Sequence, residues 1–347
     1  MPHTLSERTS LFLDFSRASA AIYVALHHVV KDFIGFDGLW NLFRFGQEAV
    51  LIFFLMSGFV IYASEHGRAL DLRGYLFRRV RRIYPPLLVA FCVSAAVAQY
   101  NGTFAREFDW VNLGGNILAL QDLAGLKPGT ITEPFLANDP LWSLSYEVAF
   151  YLMFPAALLL LQIAPRAASH LIGLGAVACF AVYTVFPHHF LAVAAYFQIW
   201  WTGAMIAASY LKGGRSWATI GPAFWWLAVL TIAAAVNCAF AGIGKIWSYP
   251  VLPFRHFIVA LVFVLVVFSR PGNRIIQTVA LPRAATRYAA SISYAVYLLH
   301  FPILIQWQVS HSPAGFAFSL VLLIVLSHAT ERWLYRVLPR FPARTPA

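Results

Sequence analysis

Runs of about twenty apolar residues alternate with short polar connections along this chain, at about 11–31, 45–64, 83–100, 139–162, 168–187, 190–211, 217–238, 251–269, 288–308 and 314–334. A run of that length crosses the hydrocarbon of a bilayer as an α-helix. The pattern therefore predicts an all-α fold, a polytopic membrane bundle of about ten transmembrane helices. No polar stretch is long enough for a soluble domain, so residues 1–347 read as one transmembrane domain. The longest connection, about 40 residues after Tyr100, carries GG, PG and NDP turn signals and has room only for short helices or an ordered loop. The first run lacks a small-residue cleavage site and reads as an uncleaved first helix. The chain has no internal repeat of the kind that marks inverted-repeat transporters.

Composition agrees: 60% of residues are hydrophobic, 11% are charged and mean hydropathy is +0.69. The net charge of +11 would suit a nucleic-acid partner in a soluble protein. In a membrane protein, Lys and Arg mark the cytoplasmic face, and a high pI needs no anionic partner. With the N-terminus inside, eighteen of the 25 Lys and Arg fall in inner segments and six in outer ones, with Arg17 inside the first span. That asymmetry predicts N-in, C-in and an even number of spans. Cys92, Cys179 and Cys238 lie in apolar segments without metal-ligand spacing, and read as small buried hydrophobes.

Ionisable groups inside spans are costly and face a bundle interior or a wet cavity. The stretch LDFSRASAAIYVALHHVVKDF carries Arg17, His27 and His28. At about 100° per residue, His28 returns to within about 20° of the Arg17 face, about 16 Å along the axis, whereas His27 lies about 80° away. Arg17 and His28 are thus placed to line one cavity across most of the bilayer, with Asp14 one turn before Arg17 as its partner. A snorkelling arginine and an interfacial histidine fit the same spacing.

In LWSLSYEVAFYLMFP, Ser143, Glu147 and Tyr151 share a face; Glu147 belongs either in a cavity or in the headgroup layer. In SISYAVYLLHFP, Ser293, Tyr297 and His300 form one stripe, and Pro302 frees a carbonyl one turn back. That stripe serves a site or a helix-packing network. FRRVRRIYPP puts Arg78, Arg79, Arg81 and Arg82 at the inner surface, for topology and anionic lipid or for a phosphorylated cosubstrate. In GQEAVLIFFLMSGFVIY, Glu48 lies near the outer end, and Ser57–Gly58 is a small-residue spot suited to close helix contact.

Taken in order, LDFSRASAAIYVALHH, VLIFFLMSGFVIY, YLFRRVRRIYPP, LWSLSYEVAFYLMFP and SISYAVYLLHFP resemble the acyltransferase 3 family of integral-membrane acyltransferases over residues 10–340. The resemblance implies transfer of an acyl group, acetyl by default, from cytoplasmic acyl-CoA to a hydroxyl of a cell-envelope or secreted glycan, of the exopolysaccharide, O-antigen or lipooligosaccharide type. It implies polysaccharide modification at a bacterial inner membrane, acyl-CoA as cosubstrate and no bound cofactor or metal. Because residues after the tenth run are few, the resemblance leads one to expect the stand-alone form, without the extramembrane SGNH-type domain some members carry. The doublet His27–His28 departs from the pattern; the ten-residue gap after Arg17 and the helical face both favour His28.

The expected roles follow. His28 is general base or transient acyl carrier, because a neutral imidazole suits deprotonation of a hydroxyl. Glu147 orients or charge-balances His28, and Arg17 guides the CoA end of the donor. Arg78, Arg79, Arg81 and Arg82 hold the phosphates of CoA. Ser143, Tyr151, Tyr297 and His300 are secondary candidates for the same cavity. Two other readings remain: a transporter or flippase of a lipid-linked or small-molecule substrate, and another acyltransferase architecture with His300 as sole centre. Trp110, Asp109 and Glu133 of the outer connection suit a sugar without specifying one.

Overall fold

The computed structural model describes residues 5–35, 38–66 and 71–338. Arg68, Arg340 and Arg344 of the predicted inner segments lie outside the described residues. Ten long helices organise the chain: α1 (Glu7–Val29), α2 (Gly46–Glu65), α3 (Leu72–Tyr100), α4 (Trp142–Ile163), α5 (Ala168–Val185), α6 (His189–Leu211), α7 (Trp217–Ala241), α8 (Val251–Phe268), α9 (Arg283–His300) and α10 (Pro313–His328). Among the described residues, nine helices are long and apolar enough to cross a membrane, and α1 is not one of them. Asp14, Arg17, His27 and His28 lower its hydropathy. Its 23 residues pack against α2 and α9, so its polar groups sit among protein instead of lipid.

The alternation predicted from the basic residues is present. At one end, Arg287 bonds Glu7, Thr9 bonds the Tyr210 hydroxyl, and Arg82 bonds Glu331. At the other, the His189 amide donates to the Gly129 carbonyl, Tyr249 to Leu126, and Asn101 to Gln306. The predicted inner connections therefore gather at one end, called here the basic end, and the outer connections at the far end.

The basic run after Glu65 departs from its expected place in a connection. Helix α3 begins at Leu72, where Asp71 caps the Gly74 amide at 3.2 Å, and carries Arg78, Arg79, Arg81 and Arg82 on helical turns. It continues through Pro85 and Pro86. A proline removes the hydrogen bond to the carbonyl four residues back, and in a membrane bundle that carbonyl needs another donor. The Tyr335 hydroxyl donates to the Arg81 carbonyl at 2.7 Å. Pro155 and Pro302 are treated the same way: the Tyr75 hydroxyl donates to the Tyr151 carbonyl at 3.0 Å, and Asn138 Nδ2 to the Leu298 carbonyl at 3.1 Å.

Helices α2 and α6 approach closely through two glycines. A Cβ on Gly58 would overlap the Trp200 carbonyl, and one on Gly203 the Leu55 carbonyl. The small-residue reading of Gly58 is met. The cysteines are all free, but only Cys238 is buried; Cys92 is exposed on the bundle surface.

The far-end connection folds as two short helices, Phe104–Glu107 and Trp110–Ile117, followed by turns and a single bridge between Gln121 and Thr132. Its interior is polar. Asn116, Gln121, Asp122, Lys127 and Asn138 are all buried. Lys127 Nζ lies 2.7 Å from Asp122 Oδ1 and 3.8 Å from the Trp142 ring centroid, and the Tyr146 hydroxyl donates to Asp122 Oδ2 at 2.7 Å. Burial by itself pushes the Asp122 carboxyl up. The adjacent Lys127 ammonium and His189 outweigh burial and hold it below the ordinary carboxylate range. This cluster ties the connection to the tops of α4 and α6.

Candidate active site

A cavity of about 220 Å³ lies between α1, α2, α3, α4 and α9. Its walls are apolar where α2 contributes Val50, Phe53, Phe54 and Ile61, and polar where Arg17, Ser57, Arg79, Arg82, Glu147 and Tyr151 converge. Glu147 accepts from the Ser57 hydroxyl at 2.6 Å and the Tyr151 hydroxyl at 2.5 Å. Trp200 Nε1 donates to the same Ser57 oxygen at 3.1 Å. Tyr151 follows Glu147 by one helical turn, which is why both reach one point. Ser57 comes from α2, so this carboxylate belongs to the bundle interior and not to the headgroup layer.

Arg17 lines the cavity and makes no hydrogen bond or ion pair among the described residues. The expected Asp14 partner is not in ion-pair contact. Arg17 is a cation held among protein with its donors free. Arg78, Arg79, Arg81 and Arg82 of α3 do not form the one phosphate-holding patch expected from sequence. Arg78 pairs with Glu65 at 2.8 Å and Arg81 donates to the Tyr335 carbonyl at 2.8 Å. Arg79 and Arg82 face the cavity. Arg79 lies over the Tyr75 and Tyr151 rings and 3.4 Å from Glu65; Arg82 lies over Tyr294 and pairs with Glu331 at 2.6 Å. Successive helical positions point in different directions, so a dense basic run cannot present all its guanidinium groups to one ligand.

The two histidines of α1 diverge. His27 Nδ1 donates to the Phe43 carbonyl at 2.7 Å, and its ring packs against Gly46 and Trp40. His28 turns inward: its ring centroid is 5.4 Å from that of His300 and 4.8 Å from that of Phe301. His28 Nδ1 and His300 Nε2 are buried without a hydrogen-bond partner among the described residues. His300 Nδ1 donates to the Val296 carbonyl at 3.2 Å, which fixes its tautomer and leaves Nε2 as a lone-pair nitrogen. Two orphan imidazole nitrogens in one place are costly unless something else binds between them.

Glu147 does not reach this pair, contrary to expectation: no hydrogen bond joins it to His28 among the described residues. His28 is not among the residues that line the Arg17 cavity. The cavity ends at Ser143 and Tyr297, whose hydroxyls are 2.8 Å apart. Tyr297 packs on Phe53 below and 6.1 Å from His300 above. The Tyr294, Tyr297 and His300 stripe of α9 thus runs about 9 Å from the Arg82 level to the histidine pair. Ser293 is not part of it; its hydroxyl donates back to the Ala290 carbonyl.

Several residues escaped the sequence reading. Ser57 was legible as a small residue and not as the donor to Glu147. Tyr294 and Glu331 carried only the signal of polar groups at span ends. The Asp122–Lys127 pair sat in a connection without a motif.

The family model described as an acyltransferase domain matches residues 10–331. The chain is similar to the acyltransferase MdmB of Streptomyces mycarofaciens, 35% identical over 34% of this chain and 30% of that protein. It is also similar to Nodulation protein 10 of Rhizobium leguminosarum bv. viciae, 26% identical over 77% of this chain and 75% of that protein. The first match thus spans less than a third of its relative, whereas the second is a similarity along most of both chains. No solved structure matches.

Proposed function

The chain belongs to the acyltransferase 3 family, and from that premise we propose that it is a multi-pass membrane O-acyltransferase. It moves an acyl group, acetyl by default, from acyl-CoA at the basic end to a hydroxyl of a cell-envelope or secreted glycan at the far end. The proposed setting is a bacterial inner membrane with the basic end in the cytoplasm. The observation that carries the reading is the His28–His300 pair, with its two unpartnered nitrogens standing directly above a cationic cavity.

The step balances as follows. The acceptor O–H loses its proton to an imidazole nitrogen as its oxygen bonds the thioester carbonyl carbon. The C–S bond then breaks, and the proton passes to the departing thiolate to give CoA-SH. His28 is the base; His300, with Nδ1 held by Val296, is the second imidazole across the reacting hydroxyl. The donor arm occupies the cavity, where the free guanidinium of Arg17 binds its carbonyl oxygens. Glu147, held by Ser57 and Tyr151, balances the charge of Arg17 and Arg79 and shapes the arm's path. Tyr297 and Ser143 stand where the arm must pass to reach the histidines. Trp110, three-quarters exposed at 75% and edge-on to Phe108, offers an apolar face to a sugar ring on the far side.

The test uses the purified chain in lipid nanodiscs with radiolabelled acetyl-CoA and a crude envelope-glycan fraction. Label should pass to glycan or be released slowly as acetate by wild type, and not by His28→Ala. Folded protein that neither binds nor consumes acetyl-CoA would shift the reading to a transporter, which leaves the thioester intact.

A further inference from the structure

A second, larger cavity of about 570 Å³ opens at the basic end between the last turn of α2 and the adjoining ends of α4, α5, α6 and α7. The site already described makes no use of it. Glu65, His66, Arg166 and Lys212 bring its charge. Glu65 is taken by Arg78 and Arg79, whereas Arg166 and Lys212 make no hydrogen bond or ion pair among the described residues. His66 is exposed, with its ring stacked at 5.4 Å on the buried Tyr62. One face of that imidazole is backed by the Tyr62 ring, and no other described ring stacks on it.

We infer that this cavity holds the adenine nucleotide of the acyl-CoA donor, with Arg166 and Lys212 on its phosphates and the His66 ring under its base. The inference rests on the acyltransferase reading above and adds a binding site to it. Three observations carry it. The cavity near Arg17 follows α2 from Val50 to Ile61, about 16 Å, and at about 220 Å³ it suits a slender arm and not a nucleotide. Ile61 of α2 lines that cavity while Tyr62 and Glu65 line the larger one; Arg79, in both the inner wall and the Glu65 pair, is the partition. An arm threaded past Arg79 thus has its head in the larger cavity. Finally, Arg78, Arg79, Arg81 and Arg82 of α3 are committed to Glu65, Glu331 and carbonyls, whereas Arg166 and Lys212 line this cavity without a partner among the described residues. A guanidinium fork and an ammonium on the turns that follow α4 and α6 suit a polyphosphate, and a backed imidazole face suits a purine. An anionic lipid headgroup presents the same phosphate chemistry, and the experiment separates the two.

The experiment compares wild type with Arg166→Glu/Lys212→Glu in nanodiscs of zwitterionic lipid, using acetyl-CoA and acetyl-pantetheine as donors. Both substituted residues are exposed, so the fold is not at stake. The double variant should raise the KM for acetyl-CoA roughly tenfold or more, keep kcat, and leave acetyl-pantetheine kinetics unmoved. An unchanged acetyl-CoA KM, or equal changes with both donors, overturns the site. So does a variant whose only change is its dependence on added anionic lipid, which would make this a headgroup site. Wild type that consumes neither donor would sink the acyl-CoA reading itself, a result distinguishable from loss of this site alone.

Discussion

His27 and His28 are neighbours in sequence with opposite structural commitments, so replacing each should produce opposite phenotypes. His28→Ala removes a ring whose Nδ1 has no hydrogen-bond partner among the described residues. No bond is lost, and relief of a buried orphan nitrogen offsets part of the small cavity created. Its effect on stability should therefore be within about 1 kcal/mol. Its effect on acyl transfer should be large, on the order of 10²- to 10⁴-fold, the range supplied by a positioned general base. His27→Ala loses the 2.7 Å bond to the Phe43 carbonyl, worth about 1 kcal/mol, and ring contact with Gly46 and Trp40 worth about 1–2 kcal/mol more. That variant should unfold at clearly lower temperature and keep most of its turnover. Thermal unfolding followed by tryptophan fluorescence in detergent, beside acetyl-CoA consumption in nanodiscs, measures both quantities on the same preparations. A stable, inactive His27→Ala with an active His28→Ala would refute the assignment. Equal loss of stability and activity in both would show that the pair acts only as packing.

Three further outcomes are expected. Arg17→Ala should weaken acetyl-CoA use roughly tenfold without lowering the unfolding temperature, because Arg17 has no bonded partner among the described residues to abandon; donor kinetics identical to wild type would remove Arg17 from the donor path. Gly58→Val places atoms where the Trp200 carbonyl already lies, so it should cost about 3 kcal/mol or more and reduce the monodisperse fraction in size-exclusion chromatography; a well-folded Gly58→Val would mean that α2 and α6 do not pack this closely. For Asp122, the folded pKa is depressed from the ordinary 3.8, so its contribution is complete above that value and fades as pH falls through the folded one. Asp122→Asn also strands buried Lys127 and should destabilise by about 3 kcal/mol near neutrality, with the gap to wild type narrowing below pH 3.8; a gap constant with pH would contradict the ion pair.

The structure answers sequence expectations unevenly, and for identifiable reasons. Bilayer thickness imposes length and apolarity on each span independently of its neighbours, so the helices, their alternation and the gathering of basic segments at one end were legible from local pattern. The start of α3 was misplaced because an arginine run next to two prolines looks like a connection. Only the partners of those arginines, and the Tyr335 hydroxyl on the Arg81 carbonyl, make it helical. The inward face of His28 was also legible, because an eleven-residue interval nearly closes three helical turns.

What the chain determined by itself was therefore the kind of fold, the set of polar groups buried within it and the face of α1 that carries Arg17 and His28. The tertiary structure decided which groups meet: His28 with His300 and not Glu147, Glu147 with Ser57 and Tyr151, Arg82 with Glu331, and Asn138 on the carbonyl freed by Pro302. Helical periodicity orders a side chain about its own axis. Which neighbouring helix it then finds depends on crossing geometry and on close approaches such as Gly58 against Trp200, and those are properties of the assembled bundle.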